Sequence, residues 1–225
     1  MNPSKIVCVG RNYVSHIKEL GNEVAESPII FIKPPSSLAD LNSGIDWNRS
    51  LGECHHECEL VLMLNKTLKK EKSLEKCLAS IGEVSLGLDL TLRDLQTKLK
   101  EKGLPWERSK AFDGACLIGE WVKVSEFSNL DQVEFQLEVN GHLKQKGDTA
   151  MMIYKIAELL SDISMNFTLE KGDIVMTGTP SGVGPLKSKD ELVMSLKSDK
   201  KSMDDRTYKA MKADQFPKVS YQLTF

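Results

Sequence analysis

Residues 54–64, CHHECELVLML, constrain the fold of this chain most, because they combine an aliphatic run with two glutamates. The aliphatic end and the alternation before it predict a β-strand that enters the core. Glu57 and Glu59 are two residues apart, so on a strand their side chains leave the same face. Two carboxylates on a buried face repel each other unless a cation lies between them. The segment predicts such a cation site or, alternatively, the solvated outer face of an edge strand.

A third acidic residue, Asp89, interrupts the apolar run VSLGLDL near the end of a second predicted strand, residues 81–90. The pattern from Thr91 to Asp94 that follows is typical of a helix N-terminus. Strand ends often carry ligand and catalytic residues, although an acid there can equally belong to the turn. Three carboxylates leave half of an octahedral shell for water and substrate, and all-oxygen ligation suits Mg²⁺, Mn²⁺ or Ca²⁺ better than zinc.

A competing metal site lies in the same segment, since Cys54, His55, His56 and Cys58 are soft or borderline ligands. Structural zinc sites combine one Cys-x₂₋₄-Cys pair with a second pair further along the chain. Cys54 and Cys58 supply a first pair, but no second pair follows, which argues against structural zinc. The five cysteines have no framework spacing and the N-terminus resembles no signal peptide, so we expect reduced thiols in a cytoplasmic protein.

The remaining sequence predicts a mixture of short strands and helices without an internal repeat. Strict alternation over residues 133–139, followed by Asn140-Gly141, predicts a β-hairpin. The mixture indicates one β-rich α+β domain that spans residues 1–225. Further predicted strands are 6–9, 28–32, 173–176 and 219–225, and the predicted helices are 13–20, 69–80, one from 91 that Gly103 and Pro105 end, and 149–165.

Composition argues against two classes of partner. The net charge of −2 and the pI near 6.1 give no electrostatic reason to expect binding to nucleic acid or to an anionic membrane. The apolar runs are far shorter than the roughly 20 residues that span a bilayer. With 40% hydrophobic residues the chain can fill a sizeable core.

Five blocks carry a resemblance to a known family: GRNYVSH, HHECEL, LDLTLRDLQ, LPWERSKAFD and VMTGTPSGVGP, in this order. From about residue 5 to residue 195 the chain resembles the fumarylacetoacetate hydrolase family, specifically its small single-domain branch of acylpyruvate hydrolases and oxaloacetate decarboxylases or tautomerases. The resemblance implies a mixed β-sandwich roll with short flanking helices, a required Mg²⁺ or Mn²⁺ for which Ca²⁺ can substitute, and a homodimer. It also implies a mobile lid within residues 1–45, whereas residues 197–218 are an apparent insertion before the last strand.

The resemblance also implies the roles of particular residues. Arg93 and Gln96 are three apart on a predicted helix and can share one face. If residues 13–20 are helical, Glu19 can hydrogen-bond His16, fix its tautomer and raise its basicity. Each of these residues alone is more often an ordinary surface residue, so only the combination carries weight. The implied metal ligands are Glu57, Glu59 and Asp89, the substrate-binding residues Arg93, Gln96, Lys110 and Thr179, and the catalytic residues His16, Glu19 and Lys110.

The implied substrate is a small 2-oxo acid that reacts through an enolate next to a divalent cation. Three reactions share that enolate: decarboxylation of oxaloacetate, its keto–enol exchange, and hydrolytic C–C cleavage of an acylpyruvate. The sequence leaves the choice among them open. An alternative within the same fold is an isomerase or hydratase of longer 2-oxo dienoic diacids in aromatic degradation. A catalytically silent binding module is a remoter alternative, because such a protein does not need the full set of carboxylates with His16, Glu19 and Lys110.

Overall fold

The structure is a computed structural model that describes residues 3–21, 25–41 and 44–197, and the backbone of 206–208 and 218–224. Short strands dominate, and the helices are brief. The strands are β1 (Ile6–Gly10), β2 (Ile29–Lys33), β3 (Leu38–Asp40), β4 (Cys54–His56), β5 (Cys58–Leu64), β6 (Ile81–Asp89), β7 (Thr91–Leu92), β8 (Cys116–Ile118), β9 (Val122–Lys123), β10 (Glu134–Val139), β11 (His142–Asp148), β12 (Ile174–Met176), β13 (Gly184–Pro185), β14 (Glu191–Lys197), β15 (Arg206–Tyr208) and β16 (Lys218–Thr224). The helices are α1 (Val14–Glu19), α2 (Leu74–Leu78), α3 (Arg93–Glu101), α4 (Glu107–Lys110) and α5 (Ile156–Asn166).

The strands form three sheets in the part of the chain that the structure describes. A mixed sheet has the order β2-β1-β12-β5-β6-β8-β3, with β9 paired to β6. A five-stranded sheet has the order β11-β10-β14-β16-β15, and a small sheet joins β13, β4 and β7. Mixed sheets with few helices confirm the predicted β-rich α+β class.

The core lies where β10 and β14 of the five-stranded sheet pack against β5 and β6 of the mixed sheet. Successive side chains of a strand point to opposite faces, so β5 contributes to two apolar clusters. Leu60 and Leu62 belong to the main cluster, together with Leu137 and Met194 from the facing sheet. Val61 belongs to a smaller cluster that includes Ile6, Ile174 and Met176. The segment that carries the glutamates is therefore buried on both faces, as its aliphatic composition predicts.

The predicted hairpin is confirmed. Strands β10 and β11 pair antiparallel around Asn140 and Gly141, whose φ angles are 54° and 73°. Positive φ at both central residues is the type I′ geometry that Asn-Gly favours. The hairpin places Gln145 of β11, a fully buried residue, against the segment that carries the two glutamates.

The predicted continuous strand over residues 54–64 is wrong in one respect, because the strand breaks at Glu57. β4 before the break pairs with β7 and β13, whereas β5 after it pairs with β6 and β12. The two halves join different sheets, so the chain must change its pairing partners at this residue. The break leaves Glu57 outside a regular ladder while Glu59 stays within one.

Three predicted helices begin or end elsewhere. The helix predicted from Thr91 begins at Arg93, because Thr91 belongs to β7 and pairs with His55 of β4. The Asp94 carboxylate accepts a hydrogen bond from the Glu53 N–H at 3.1 Å. The predicted helix 69–80 shortens to α2, Leu74–Leu78. The helix predicted over 149–165 begins only at Ile156, because residues 149–151 form a 3₁₀ turn. In each case tertiary partners replace the expected helical hydrogen bonds.

The predicted final strand is confirmed as β16, which pairs in parallel with β14. Of the apparent insertion 197–218, residues 198–205 and 209–217 lie outside the described residues, and the backbone of β15 pairs with β16. Within the described residues, no helix combines the length and the apolar character needed to cross a membrane. The predicted single domain with a lid, the homodimer and the cytoplasmic location stay predictions.

Candidate active site

Three buried carboxylates meet at the break between β4 and β5. Glu57 lies at the break, Glu59 is the second residue of β5, and Asp89 ends the neighbouring β6. Strand pairing brings them together, since Glu59 lies opposite Gly87 and the Asp89 N–H donates to the Glu57 carbonyl at 2.8 Å. One oxygen from each carboxylate lies within 4.8 Å of the others. Their exposed fractions are 5%, 1% and 1%, so water screens this negative charge poorly.

Cationic side chains surround two of the three carboxylates. The Lys110 ammonium of α4 lies 2.7 Å from Glu57 Oε2 and 2.7 Å from Asp89 Oδ2. Arg93 pairs with the other oxygen of Glu57, and Lys33 forms an ion pair with Asp89 Oδ1 at 2.9 Å. Glu59 has no ion-pair partner among the described residues, and the Gly178 N–H donates to its Oε2 at 2.8 Å.

The pKa values follow this uneven distribution of charge. Burial opposes ionisation of Glu57, but the Lys110 and Arg93 cations outweigh it and hold the pKa of Glu57 below its usual range. Burial, and then the charges of Asp89 and Glu57, raise the pKa of Glu59 well above its usual range. An additional cation beside Glu59 would relieve that cost. The all-oxygen donor set, its burial and the missing positive charge at Glu59 therefore fit a hard divalent cation.

Arg93 and Gln96 share one face of α3, as their spacing predicts. The Arg93 guanidinium donates to Gln96 Oε1 at 2.7 Å and also to Glu57. Because arginine only donates, the amide oxygen of Gln96 faces Arg93 and its amide nitrogen is left to donate elsewhere. Gln96 is 4% exposed and lines the same pocket as the carboxylates. The pair thus presents an amide donor beside the candidate metal site.

His16 of α1 also lines this pocket, and Glu19 of the same helix contacts His16. His16 Nδ1 lies 3.2 Å from Glu19 Oε2, and the Gly182 N–H donates to Glu19 Oε1 at 2.9 Å. A carboxylate only accepts hydrogen bonds, so Nδ1 carries the proton and Nε2 keeps its lone pair. Burial lowers the pKa of His16, although Glu57 and Glu19 oppose the effect. His16 is therefore a buried neutral imidazole with Nε2 free to accept a proton.

Thr179 lines the pocket, but its hydroxyl proton is engaged elsewhere. The hydroxyl donates to the Cys58 carbonyl at 2.8 Å, and Gln145 Nε2 donates to that hydroxyl at 2.8 Å. The backbone N–H of Thr179 has no acceptor within the described ranges of the chain. Thr179 can therefore donate to a substrate through its backbone rather than through its side chain.

Sequence reasoning missed two residues that support the site. Lys33, fully buried at the end of β2, donates to the carbonyls of Lys110 and Ala115 and pairs with Asp89. Gln145 accepts from the Cys58 N–H at 3.0 Å and lies 3.0 Å from His56 Nδ1. Weak signals existed for both, namely a lysine that ends the apolar run before Pro34 and a glutamine at an inward-facing position of the hairpin.

Comparison with known proteins decides the family. Residues 5–212 match the family described as Fumarylacetoacetate (FAA) hydrolase C-terminal. The chain belongs to the fumarylacetoacetate hydrolase family. It is 46% identical over 195 residues to the oxaloacetate tautomerase YcgM of Escherichia coli (strain K12), an alignment that covers 85% of this chain and 88% of that protein. The resemblance inferred from the five sequence blocks is confirmed.

Two further relatives place the chain within the family. It is 42% identical over 184 residues to the mitochondrial oxaloacetate decarboxylase of Dictyostelium discoideum, covering 81% of this chain and 84% of that protein. Its fold is similar to that of fumarylpyruvate hydrolase from Pseudomonas aeruginosa, a crystal structure in complex with Mn²⁺ and pyruvate. That similarity has a TM-score of 0.81 at 30% identity and covers 98% of this chain and 89% of the other.

Proposed function

We propose that the protein is a divalent-metal-dependent enzyme that interconverts the keto and enol forms of oxaloacetate and also releases CO₂ from it. The observation that carries the proposal is the buried cluster of Glu57, Glu59 and Asp89, with a neutral His16 in the same pocket. Similarity to proteins named oxaloacetate tautomerase and oxaloacetate decarboxylase supports this choice of substrate.

The three carboxylates would hold Mg²⁺ or Mn²⁺, which acts as a Lewis acid toward the 2-oxo group of a substrate when bound. The amide nitrogen of Gln96 and the backbone N–H of Thr179 are donors for the substrate carboxylate. The Lys110 ammonium offsets negative charge that develops on the 2-oxo oxygen. The carbonyl hydrogen bond from Lys33 holds the end of α4 and so positions Lys110.

His16 moves the proton in this proposal. In the keto-to-enol direction Nε2 removes a proton from C3, the electron pair shifts to the 2-oxo oxygen, and the imidazolium then donates its proton to that oxygen. Glu19 holds the imidazole through Nδ1 and stabilises the imidazolium that forms. In decarboxylation the C3–C4 bond breaks instead, CO₂ leaves, and C3 of the resulting enolate takes a proton from water that is relayed through His16 Nε2. One arrangement of residues therefore serves both reactions.

The pocket that these residues line has a volume of about 30 Å³. A volume of that order holds about one water molecule, so side chains must move before a substrate enters. We propose that α1, which contributes His16 and whose Glu19 accepts a hydrogen bond from the Gly182 N–H, opens as the lid.

Hydrolysis of an acylpyruvate is the second candidate function. The His16–Glu19 pair favours it, since a neutral imidazole held by a carboxylate can also activate a water molecule. Similarity to the fumarylpyruvate hydrolase that binds Mn²⁺ and pyruvate adds support. Acetylpyruvate is therefore the substrate to compare with oxaloacetate.

The test is a spectroscopic assay of enol-to-keto exchange of oxaloacetate by the purified protein, with Mg²⁺, with Mn²⁺ and with EDTA. Pyruvate release and acetylpyruvate cleavage are followed in parallel. We expect metal-dependent exchange that EDTA abolishes, and a loss of at least about a hundredfold in Glu59→Gln, which keeps the side-chain size but removes a ligand charge. Full activity of Glu59→Gln contradicts the metal assignment. So does exchange in EDTA that is still faster with the protein than without it. Cleavage of acetylpyruvate without exchange of oxaloacetate selects the second candidate.

A further inference from the structure

Two further cations line the active-site pocket besides the two that are paired with Glu57. Arg11 and Lys100 both line the pocket that contains the three carboxylates. Across the ranges that the structure describes, neither forms an ion pair, whereas Arg93 and Lys110 are both paired with Glu57. Unpaired cations that face a pocket together are suited to bind an anion.

Lys100 continues a stripe of polar residues along α3. Arg93, Gln96 and Lys100 are spaced i, i+3 and i+7, so they share one face of the helix. Seven residues of α-helix rise about 10 Å, and long side chains lean toward the helix N-terminus. The Lys100 side chain therefore reaches back toward the pocket, and its ammonium lies 5.0 Å above the ring of Trp106, which also lines the pocket. The stripe leads from the carboxylate cluster outward.

The environment of Lys100 shows that its position has an energetic cost. Burial, and then the charges of Arg11, Arg93 and Lys110, lower the pKa of Lys100 to about 8. Arg11 has a φ of 58°, a left-handed conformation that is strained for a residue other than glycine. Such strain is common at ligand-binding positions. Both features fit residues that are arranged for a ligand rather than for stability.

We propose that Lys100, assisted by Arg11, binds the second carboxylate of a four-carbon 2-oxo dicarboxylic acid and so selects dicarboxylates over monocarboxylates. This inference rests on the proposed function, in which the first carboxylate and the 2-oxo group lie at the carboxylate cluster. A dicarboxylate whose first carboxylate lies there extends its other carboxylate away from the cluster, along the stripe toward Lys100. Arg11 and Lys100 then supply the counter-charge.

The charge of the pocket supports a dianion. Its lining includes the cations Arg11, Arg93, Lys100 and Lys110, against three carboxylates. The excess of one positive charge rises to three when the carboxylates hold a divalent cation. A dianionic substrate lowers it again to one, whereas a monoanion leaves two. Electrostatics of this kind discriminates between ligands of different charge.

The test compares the KM for oxaloacetate with the inhibition constant of pyruvate, which has the same C1–C3 atoms but no second carboxylate. In Lys100→Met we expect the KM to rise about tenfold or more and the inhibition constant of pyruvate to change less than about twofold. Lys100→Arg, which keeps the positive charge, should have a KM for oxaloacetate close to that of wild type. Lys98→Met removes an exposed lysine from the same helix and should behave as wild type. Equal rises for both compounds, or no rise in either, overturn the subsite.

Failure of the proposed function gives a different result. In that case the wild-type protein does not turn over oxaloacetate at all. Calorimetric titration of Mn²⁺-loaded wild type and Lys100→Met with freshly dissolved oxaloacetate and with pyruvate then tests the subsite without turnover. A loss of oxaloacetate affinity alone in the variant supports the subsite. Equal affinities of the two proteins for both compounds contradict it.

Discussion

Lys110→Met should lower the free energy of unfolding of the metal-free protein and raise its affinity for a divalent metal. The Lys110 ammonium lies 2.7 Å from an oxygen of Glu57 and 2.7 Å from an oxygen of Asp89, and the lysine is 3% exposed. It is the cation that these two carboxylates share. Methionine has a similar size and no charge, so the substitution removes the ammonium while it fills most of the same space.

The magnitude follows from the burial of the ion pairs. Removal of one partner from a buried ion pair typically costs about 3–5 kcal/mol, because the remaining charge is left uncompensated. The same ammonium repels an incoming divalent cation, and two unit charges about 4 Å apart interact by about 4 kcal/mol at an effective dielectric constant of 20. We therefore expect a free energy of unfolding lowered by about 3 kcal/mol without metal, and an Mn²⁺ affinity raised at least about tenfold.

Two measurements check this expectation. Chemical denaturation with and without Mn²⁺ gives the stabilisation by metal, which should be larger in Lys110→Met than in wild type because the metal binds only the folded state. Calorimetric titration gives the Mn²⁺ affinity, and turnover of oxaloacetate should be lost. Lys98→Met on the exposed face of α3 is the control for removal of one positive charge. A variant that is as stable as wild type without metal, with unchanged Mn²⁺ affinity, would refute the reasoning.

Two further predictions concern residues that support the site. Gln145→Met removes the hydrogen bonds to Thr179 and to the segment that carries the glutamates. We therefore expect a free energy of unfolding lowered by about 2–3 kcal/mol and a kcat/KM for oxaloacetate lowered about tenfold. Lys146→Met, at the exposed neighbouring residue, is the control. Asp173 accepts hydrogen bonds from Ser4, Lys5 and Glu170, and although burial opposes the effect these partners lower its pKa. Its contribution is therefore present above the ordinary aspartate pKa and is lost as the pH falls through the lowered pKa. At neutral pH the free energy of unfolding of Asp173→Asn should be about 1.5–3 kcal/mol lower than that of wild type. On acidification the variant should lose less stability than wild type, as measured by urea denaturation at neutral and acidic pH. Parallel pH profiles of the two proteins would contradict this.

Local spacing explains which parts of the site could be anticipated. Arg93 and Gln96 meet because residues three apart on a helix are neighbours, and the same holds for His16 and Glu19. The Asn140-Gly141 turn is also a local feature, since it depends on backbone angles that few residues adopt. The structure brings these residues to their predicted neighbours, whereas their catalytic roles stay predictions.

The sequence by itself determined several of the strands, the Asn140-Gly141 hairpin, the acidic segment and the resemblance to the family, because hydrophobic periodicity, turn residues and ordered motifs lie in neighbouring positions. The tertiary structure alone decided that Lys33 forms an ion pair with Asp89 and that Gln145 donates a hydrogen bond to the hydroxyl of Thr179. It also decided that the strand breaks at Glu57. These features depend on which strands pair and on which buried polar groups need partners. Residues far apart in sequence satisfy those requirements, so no local pattern shows them.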